Sequence, residues 1–241
     1  MHGTVVVQRG AGNALRATVR FPKLSALPTI IARLRRVFDL AADPVAITAH
    51  LAKDPALAPL VKARPGLRVA GAWDGFELAI RAVLGQQITV AAAATLAARL
   101  VASHGQRLAT GEAELTHVFP SPAALASADL TSLGMPRSRA AALSAVAAAA
   151  VADPHLFDAN CGLEDAVKRL RSIRGVGEWT AQYIALRQLR EPDAFPAADI
   201  GLLRAIAGRE RRRPSTSELL DRANAWRPWR AYAAQHLWAS A

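Results

Sequence analysis

Apolar and polar positions alternate along Thr4 to Phe21, interrupted by Gly10-Ala11-Gly12-Asn13, and this period of two with a turn-forming break predicts two short antiparallel strands. From Pro28 the spacing changes to three and four residues, as in Ile30-Ile31-Leu34-Val37-Phe38, and predicts helix up to a break at Asp43-Pro44. Asp74 followed by Glu77 reads as a capping box for a helix to about Leu84, and Thr89 opens another running to about Ser103 before Gly105. The two helices meet at a Gly85-Gln86-Gln87 joint. Ser121-Pro122 starts a further helix, and Gly134-Met135-Pro136 is a turn before an alanine-rich one ending near Asp153-Pro154. Leu163 to Arg171, a glycine turn and Glu178 to Arg190 come next, then helices opened by Asp199, by Ser215 with Glu218, and by Arg230. The hairpin is the only β signal, and no repeat indicates a solenoid. Because two strands are marginal alone, residues 1–27 read as the remnant of a larger N-terminal sheet, and residues 28–241 as a helical domain.

Composition sharpens this. The chain has 241 residues, 52% of them hydrophobic, which is enough to fill a core. Thirty Lys and Arg against 19 Asp and Glu leave a net charge of +11, favouring a polyanion such as nucleic acid, although coding bias toward Arg and Ala would have the same effect. One cysteine, Cys161, rules out an internal disulfide framework and cysteine-held zinc or iron–sulfur clusters, and points to a reducing compartment. The apolar runs are broken before membrane-spanning length and the N-terminus lacks a secretory pattern, so a cytoplasmic protein without membrane attachment, nucleoid-associated when bound to DNA, is expected. His2, His50, His104, His117, His155 and His236 form no metal-ligand spacing. Of five tryptophans, Trp226, Trp229 and Trp238 cluster near the C-terminus.

The chemistry concentrates in Leu170-Arg171-Ser172-Ile173-Arg174-Gly175-Val176-Gly177-Glu178-Trp179-Thr180-Ala181. Two glycines between helices let backbone amides approach a phosphate, and amides at the second helix's N-terminus carry favourable partial charge. An ordinary C-cap glycine and tight turn is the structural alternative. About twenty residues after Gly177, Phe195-Pro196-Ala197-Ala198-Asp199 places an acid after a Pro-containing loop at a helix start. Hairpin, loop and aspartate together resemble the helix-hairpin-helix, Gly/Pro-rich loop, aspartate signature of base-excision DNA glycosylases. Arg81-Ala82-Val83-Leu84-Gly85-Gln86-Gln87, Gly134-Met135-Pro136 with Arg139, Gly177 to Tyr183 with Ala185-Leu186-Arg187, and Trp226-Arg227-Pro228-Trp229-Arg230 are similar to the AlkA-type 3-methyladenine DNA glycosylase II family from about Asn13 onward.

The resemblance implies a mainly α fold, with two helical subdomains flanking a cleft and a short N-terminal antiparallel β remnant. It implies that Asp199 is the catalytic carboxylate, a role suited to stabilising the positive charge that develops on the sugar, though Asp is equally at home as a helix N-cap. Relatives that also nick the strand carry a lysine where this chain has Trp179, so no Schiff base can form and hydrolysis leaving an intact abasic site is expected. Trp179, Tyr183 and Trp238 would line a pocket for alkylated, cationic bases, with core packing the alternative for each. Gln86 would neighbour that pocket, and Trp226 and Trp229 are assigned to packing. Gln87 maps to the side chain that fills the gap left by the flipped base, where relatives usually have an apolar residue. Arg174, Gly175, Gly177 and Thr180 would contact DNA. The resemblance also implies a structural Na+ or K+ on the main-chain carbonyls of Arg171, Ile173 and Val176, with no cofactor required. Partners follow: duplex DNA with alkylated bases, a monomeric enzyme, and fusion to an upstream methyltransferase or regulatory domain. A glycosylase for oxidised, deaminated or mismatched bases, a DNA-binding module without chemistry, and a helical interaction domain are the alternatives.

Overall fold

The computed structural model describes residues 2–108, 115–159, 161–210 and 212–240. Strands β1 (Thr4–Arg9) and β2 (Leu15–Arg20) pair antiparallel with Thr4 opposite Arg20 and Arg9 opposite Leu15, closed through Gly10 to Ala14. Helices α1 (Leu27–Val37), α2 (Pro44–Leu51) and α3 (Ala58–Ala63) follow, and each carries proline in its first turn, where the missing N–H costs nothing. The Asp43 carboxylate caps α2 by accepting from the Val45 and Ala46 amides.

Helix α4 (Gly75–Leu84) is capped by Asp74, which accepts from the Glu77 amide at 2.8 Å. Only this half of the expected box forms, because Glu77 turns to Arg81 one helical turn on. Helix α5 (Val90–His104) starts at the Thr89 cap. A second ladder, unforeseen in the sequence, joins β3 (Gln106–Arg107) to β4 (His117–Val118). Then come α6 (Pro122–Ala126), α7 (Arg137–Ala152), α8 (Leu163–Arg171) and α9 (Glu178–Ile184). The helix predicted from Glu178 to Arg190 takes a π conformation over Ala185–Leu189, ending at Arg190 with φ 63°. Helices α10 (Ile200–Glu210), α11 (Thr216–Ala223), whose Ser215–Glu218 capping box is complete, and α12 (Arg230–Trp238) close the chain.

The helices pack in two sets. One contains α4, α5, α6 and α7 with α8 and α9 against it; the other contains α2, α3, α10 and α12, with α11 following α10. Leu84, Leu100, Leu143, Leu170 and Ile184 are fully buried in the first, and Leu51, Leu57, Leu202 and Leu237 in the second. Burying such side chains contributes roughly 1.5–3 kcal/mol each, which is what holds short helices that would not persist alone. Trp226 is buried, as its packing assignment required, and donates its indole N–H to Asp54 at 2.7 Å. Burial opposes ionisation of Asp54, but this bond, the Ala56 amide and Arg222 outweigh it and hold its carboxyl below the usual range.

A polar network crosses the core from the N-terminal segment. Asp39, buried and at φ 53°, pairs with Arg190 and accepts from the Tyr232 hydroxyl at 2.9 Å and the Val69 amide at 3.1 Å. Burial and the neighbouring Asp39 carboxylate raise the Tyr232 phenol above its ordinary range, so it stays a donor. Residues 69–73 form a strap bonded on both sides: Val69 and Ala70 carbonyls accept from Arg190 and Arg187, Gly71 N–H donates to the Val37 carbonyl, and Ala72 N–H donates to the Arg187 carbonyl.

Candidate nucleic-acid interface and active site

The turn from α8 to α9 is a compact hairpin whose shape depends on one glycine. Gly175 has φ 86°, and a Cβ there would lie 2.2 Å from Ala142 Cβ on α7, so both backbone conformation and packing demand glycine. Gly177 caps α9, and a Cβ there would meet nothing within 4 Å. Its lack of a side chain leaves the backbone open to an approaching ligand. The amides of Glu178, Trp179 and Thr180, in the first turn, have no intrahelical acceptor and carry the helix's positive partial charge. Arg174, Gly175 and Gly177 are exposed at the tip, and Ile173 and Val176 face inward, their turn closed by Val176 N–H donating to the Ile173 carbonyl at 3.0 Å.

The joint between α4 and α5 lies against this hairpin. Gln86 Nε2 donates to the Gly175 carbonyl at 3.0 Å and to Thr180 Oγ1 at 3.0 Å, across 89 and 94 residues of sequence. This changes one expectation. Gln86 is engaged with the hairpin beside Trp179, and Thr180, only 2% exposed, uses its hydroxyl internally, so only its amide is left to face a phosphate. Arg139 Nη2 donates to the Gln86 carbonyl at 2.5 Å, pinning the joint from α7. Gln87, the next residue, is exposed and sits at φ 59°, a left-handed conformation that costs a non-glycine side chain and projects it from the surface.

Asp199 lies where the helix sets meet. Its Oδ1 accepts from the Leu202 amide at 3.0 Å, the N-cap geometry that the sequence allowed, and also from Trp238 Nε1 at 2.9 Å. Its Oδ2 accepts from Trp179 Nε1 at 2.8 Å. The carboxylate is thus held from α9, α10 and α12 at once, each oxygen by an indole. Such charge-assisted bonds contribute about 1.5–3 kcal/mol each and fix the orientation of the acid. Gly201 supplies the room: a Cβ there would stand 3.0 Å from Asp199 Oδ1 and 3.3 Å from Trp238 Cδ1.

The aromatic residues expected around the pocket do assemble. Trp179 and Tyr183 stack at 5.3 Å with 11° between planes, and Trp238 meets Tyr183 edge-on at 6.3 Å. One residue of this group escaped functional assignment in the sequence: Arg187, whose guanidinium lies over Tyr183 at 5.7 Å and over Trp238 at 5.1 Å. Tyr183, expected to line the pocket with its ring, therefore packs between two of its own neighbours. Arginine four residues after tyrosine was the available signal.

Comparison with known proteins gives this geometry a lineage. Residues 1–74 match the AlkA N-terminal domain and residues 80–230 the HhH-GPD superfamily base excision DNA repair proteins. A "Probable bifunctional transcriptional activator/DNA repair enzyme AlkA" of Mycobacterium tuberculosis H37Rv is 43% identical over 213 residues, covering 88% of this chain, while the chain spans only 42% of that relative. "DNA-3-methyladenine glycosylase 2" of Escherichia coli K12 is 37% identical, covering 86% of this chain and 70% of the relative. In fold the chain is similar to the 3-methyladenine DNA-glycosylase from Archaeoglobus fulgidus, with a TM-score of 0.85 at 21% identity over 98% of this chain and 81% of the other. It is also similar to Schizosaccharomyces pombe Mag1 in complex with abasic DNA, with a TM-score of 0.67 at 23% identity over 80% and 95%. The hairpin, the aspartate and the family match converge: the chain belongs to the HhH-GPD superfamily of base excision DNA repair proteins.

Proposed function

We propose that the protein is a monofunctional DNA glycosylase that flips alkylated purines out of duplex DNA and hydrolyses their glycosidic bond, leaving an abasic site. The observation that carries this is the Asp199 carboxylate clamped by Trp179 and Trp238 at 2.8 and 2.9 Å beside stacked aromatic rings. Alkylation at purine N3 or N7 makes the base cationic and a ready leaving group, so no acid need protonate it. As the bond breaks, positive charge grows on the sugar, and a fixed carboxylate stabilises it without reorganising; the same carboxylate orients the attacking water. Trp179 holds the acid by its N–H, and at this position no amine exists to attack C1′.

The hairpin would grip the phosphates through the exposed backbone of Arg174, Gly175 and Gly177 and the first amides of α9. Gln87, projecting from a joint pinned by Gln86 and Arg139, would enter the gap left by the flipped base. The carbonyls of Arg171, Ile173 and Val176 are neutral oxygen donors of the kind that suits Na+ or K+, and an ion there would stiffen the phosphate grip while taking no part in hydrolysis. Binding as a monomer to alkylated duplex DNA in the cytoplasm belongs to the same proposal. Among the described residues, no helix is long and apolar enough to cross a membrane.

The test is release of 3-methyladenine and 7-methylguanine from methylated duplex DNA, with strand nicking scored separately. Wild-type protein is expected to release base without nicking, and Asp199→Asn to lose at least about 100-fold in rate, the scale for removing an electrostatic stabiliser of a transition state. DNA binding without release of any alkylated or deaminated base would show a non-catalytic binding module instead.

A further inference from the structure

Arg187 is a charge inside the aromatic group that the proposed chemistry does not use. Trp179, Tyr183 and Arg187 recur every four residues along α9 and its π continuation, so they stack in that order and Tyr183 is covered by an indole on one side and a guanidinium on the other. The same guanidinium lies 5.1 Å from the centre of the Trp238 ring, whose N–H holds Asp199. Its Nη1 donates to the Ala70 carbonyl at 2.9 Å, and its own carbonyl accepts from Ala72 N–H at 3.0 Å, so the strap fixes the residue at both ends. Among the described residues no carboxylate lies within ion-pair distance of Arg187. The aromatic group therefore contains a half-buried positive charge that already lies over two of its rings.

Resting on the glycosylase reading, we propose that Arg187 is a specificity-determining residue that restrains the preference of the pocket for cationic over neutral bases. An aromatic pocket attracts a cation because its ring faces are negative. A resident guanidinium draws on the same faces and repels a second positive charge a few ångströms away, while a neutral base meets no such repulsion and still stacks. The residue thereby narrows the difference in transition-state binding between a methylated, cationic purine and a neutral purine such as hypoxanthine. The device acts on selectivity, and the carboxylate and its two indoles are left as they stand.

The experiment compares wild type, Arg187→Gln and Arg187→Lys on duplexes carrying a single 7-methylguanine or a single hypoxanthine, reading kcat/KM for each and their ratio. Gln keeps a polar amide but removes the charge, and Lys keeps the charge. The ratio of 7-methylguanine to hypoxanthine release is expected to rise by about fivefold in Arg187→Gln and to stay within twofold of wild type in Arg187→Lys. Should Arg187→Gln fail to fold, Arg187→Met is read in its place against the same expectation. A ratio that does not move on loss of charge, or that moves equally in the lysine variant, overturns the proposal while leaving the glycosylase reading intact. A wild type that releases neither base overturns both.

Discussion

At the scale of single residues, the carboxylate at the centre of the site is a cap and a candidate catalyst at once. Asp199 satisfies the Leu202 amide with the same oxygen that takes the Trp238 indole, so its structural duty sets the direction in which the acid points. Gly201 is the residue on which this arrangement depends without touching any substrate. Glycine in the first turn of a helix is ordinarily unfavourable by about 0.5–1 kcal/mol relative to alanine. Gly201→Ala should therefore lower the melting temperature only modestly, the gain in helix propensity offsetting part of the weakened bonds to the acid, while base release falls by about tenfold as the new Cβ, 3.0 Å from Asp199 Oδ1, displaces the carboxylate. Parallel thermal unfolding and excision assays check this; a variant that loses stability and activity in proportion would show that Gly201 serves packing alone. Asp199 could be picked out from the hairpin, the interval and the Pro-containing loop, all local in sequence. Gly201's role could not, because the carboxylate beside it is held in place by a tryptophan 37 positions further on.

At the scale of elements, what could be read from the chain was what local chemistry decides. The β1–β2 turn, the Thr89 and Ser121 caps, the Ser215 box and the starts of α8 and α9 all lie where turn and capping residues put them, while Asp43, read as a break, proves to cap α2. The β3–β4 ladder was missed because two-residue strands are too short to show a period of two, and the π turn because its partner is distant in sequence. Residues 185–189 have an ordinary helical composition, and their π form accompanies the Ala72–Arg187 backbone bond. The bonds of Gln86 to the hairpin could not be read from the sequence for the same reason as the π turn, since its partners lie 89 and 94 residues away. The hairpin itself separates two uses of glycine. Gly175→Ala should destabilise the protein by about 1–3 kcal/mol through left-handed strain and collision with Ala142. Gly177→Ala, with open space around it, should keep the melting temperature and weaken binding to duplex DNA. Denaturant unfolding and salt-matched DNA titrations on both variants distinguish these effects, and equal loss of stability in the two would refute the separation.

At the scale of the whole molecule, the N-terminal segment is fastened to the helical body by a charge. Asp39 is enclosed by Arg190, Tyr232 and the Val69 amide, drawn from three separate stretches of chain. None of this showed in the periodicity, where Asp39 simply follows an amphipathic helix. Replacing it by Asn would leave Arg190 buried beside an uncharged amide, and a loss of about 3 kcal/mol is expected. Chemical denaturation of Asp39→Asn checks this, and a loss below about 1 kcal/mol would mean the pair is dispensable. A Tyr232→Phe variant should lose less, about 1.5–2 kcal/mol, for one donor to the carboxylate.

The strap and the last helix together bear on how such a site can be inherited. The stretch that marks the chain as a member of its superfamily runs from residue 80 to 230, yet Ala70, which anchors Arg187, lies before it, and Trp238, one of the two indoles on Asp199, lies after it. The recognisable segment carries Asp199, Trp179 and the hairpin, but the second indole on the acid and the carbonyl that anchors Arg187 are contributed from outside its borders. A lineage that exchanged or transplanted that segment alone would carry over its signature with only part of the clamp on Asp199, so the flanks and the segment have to be inherited as one unit.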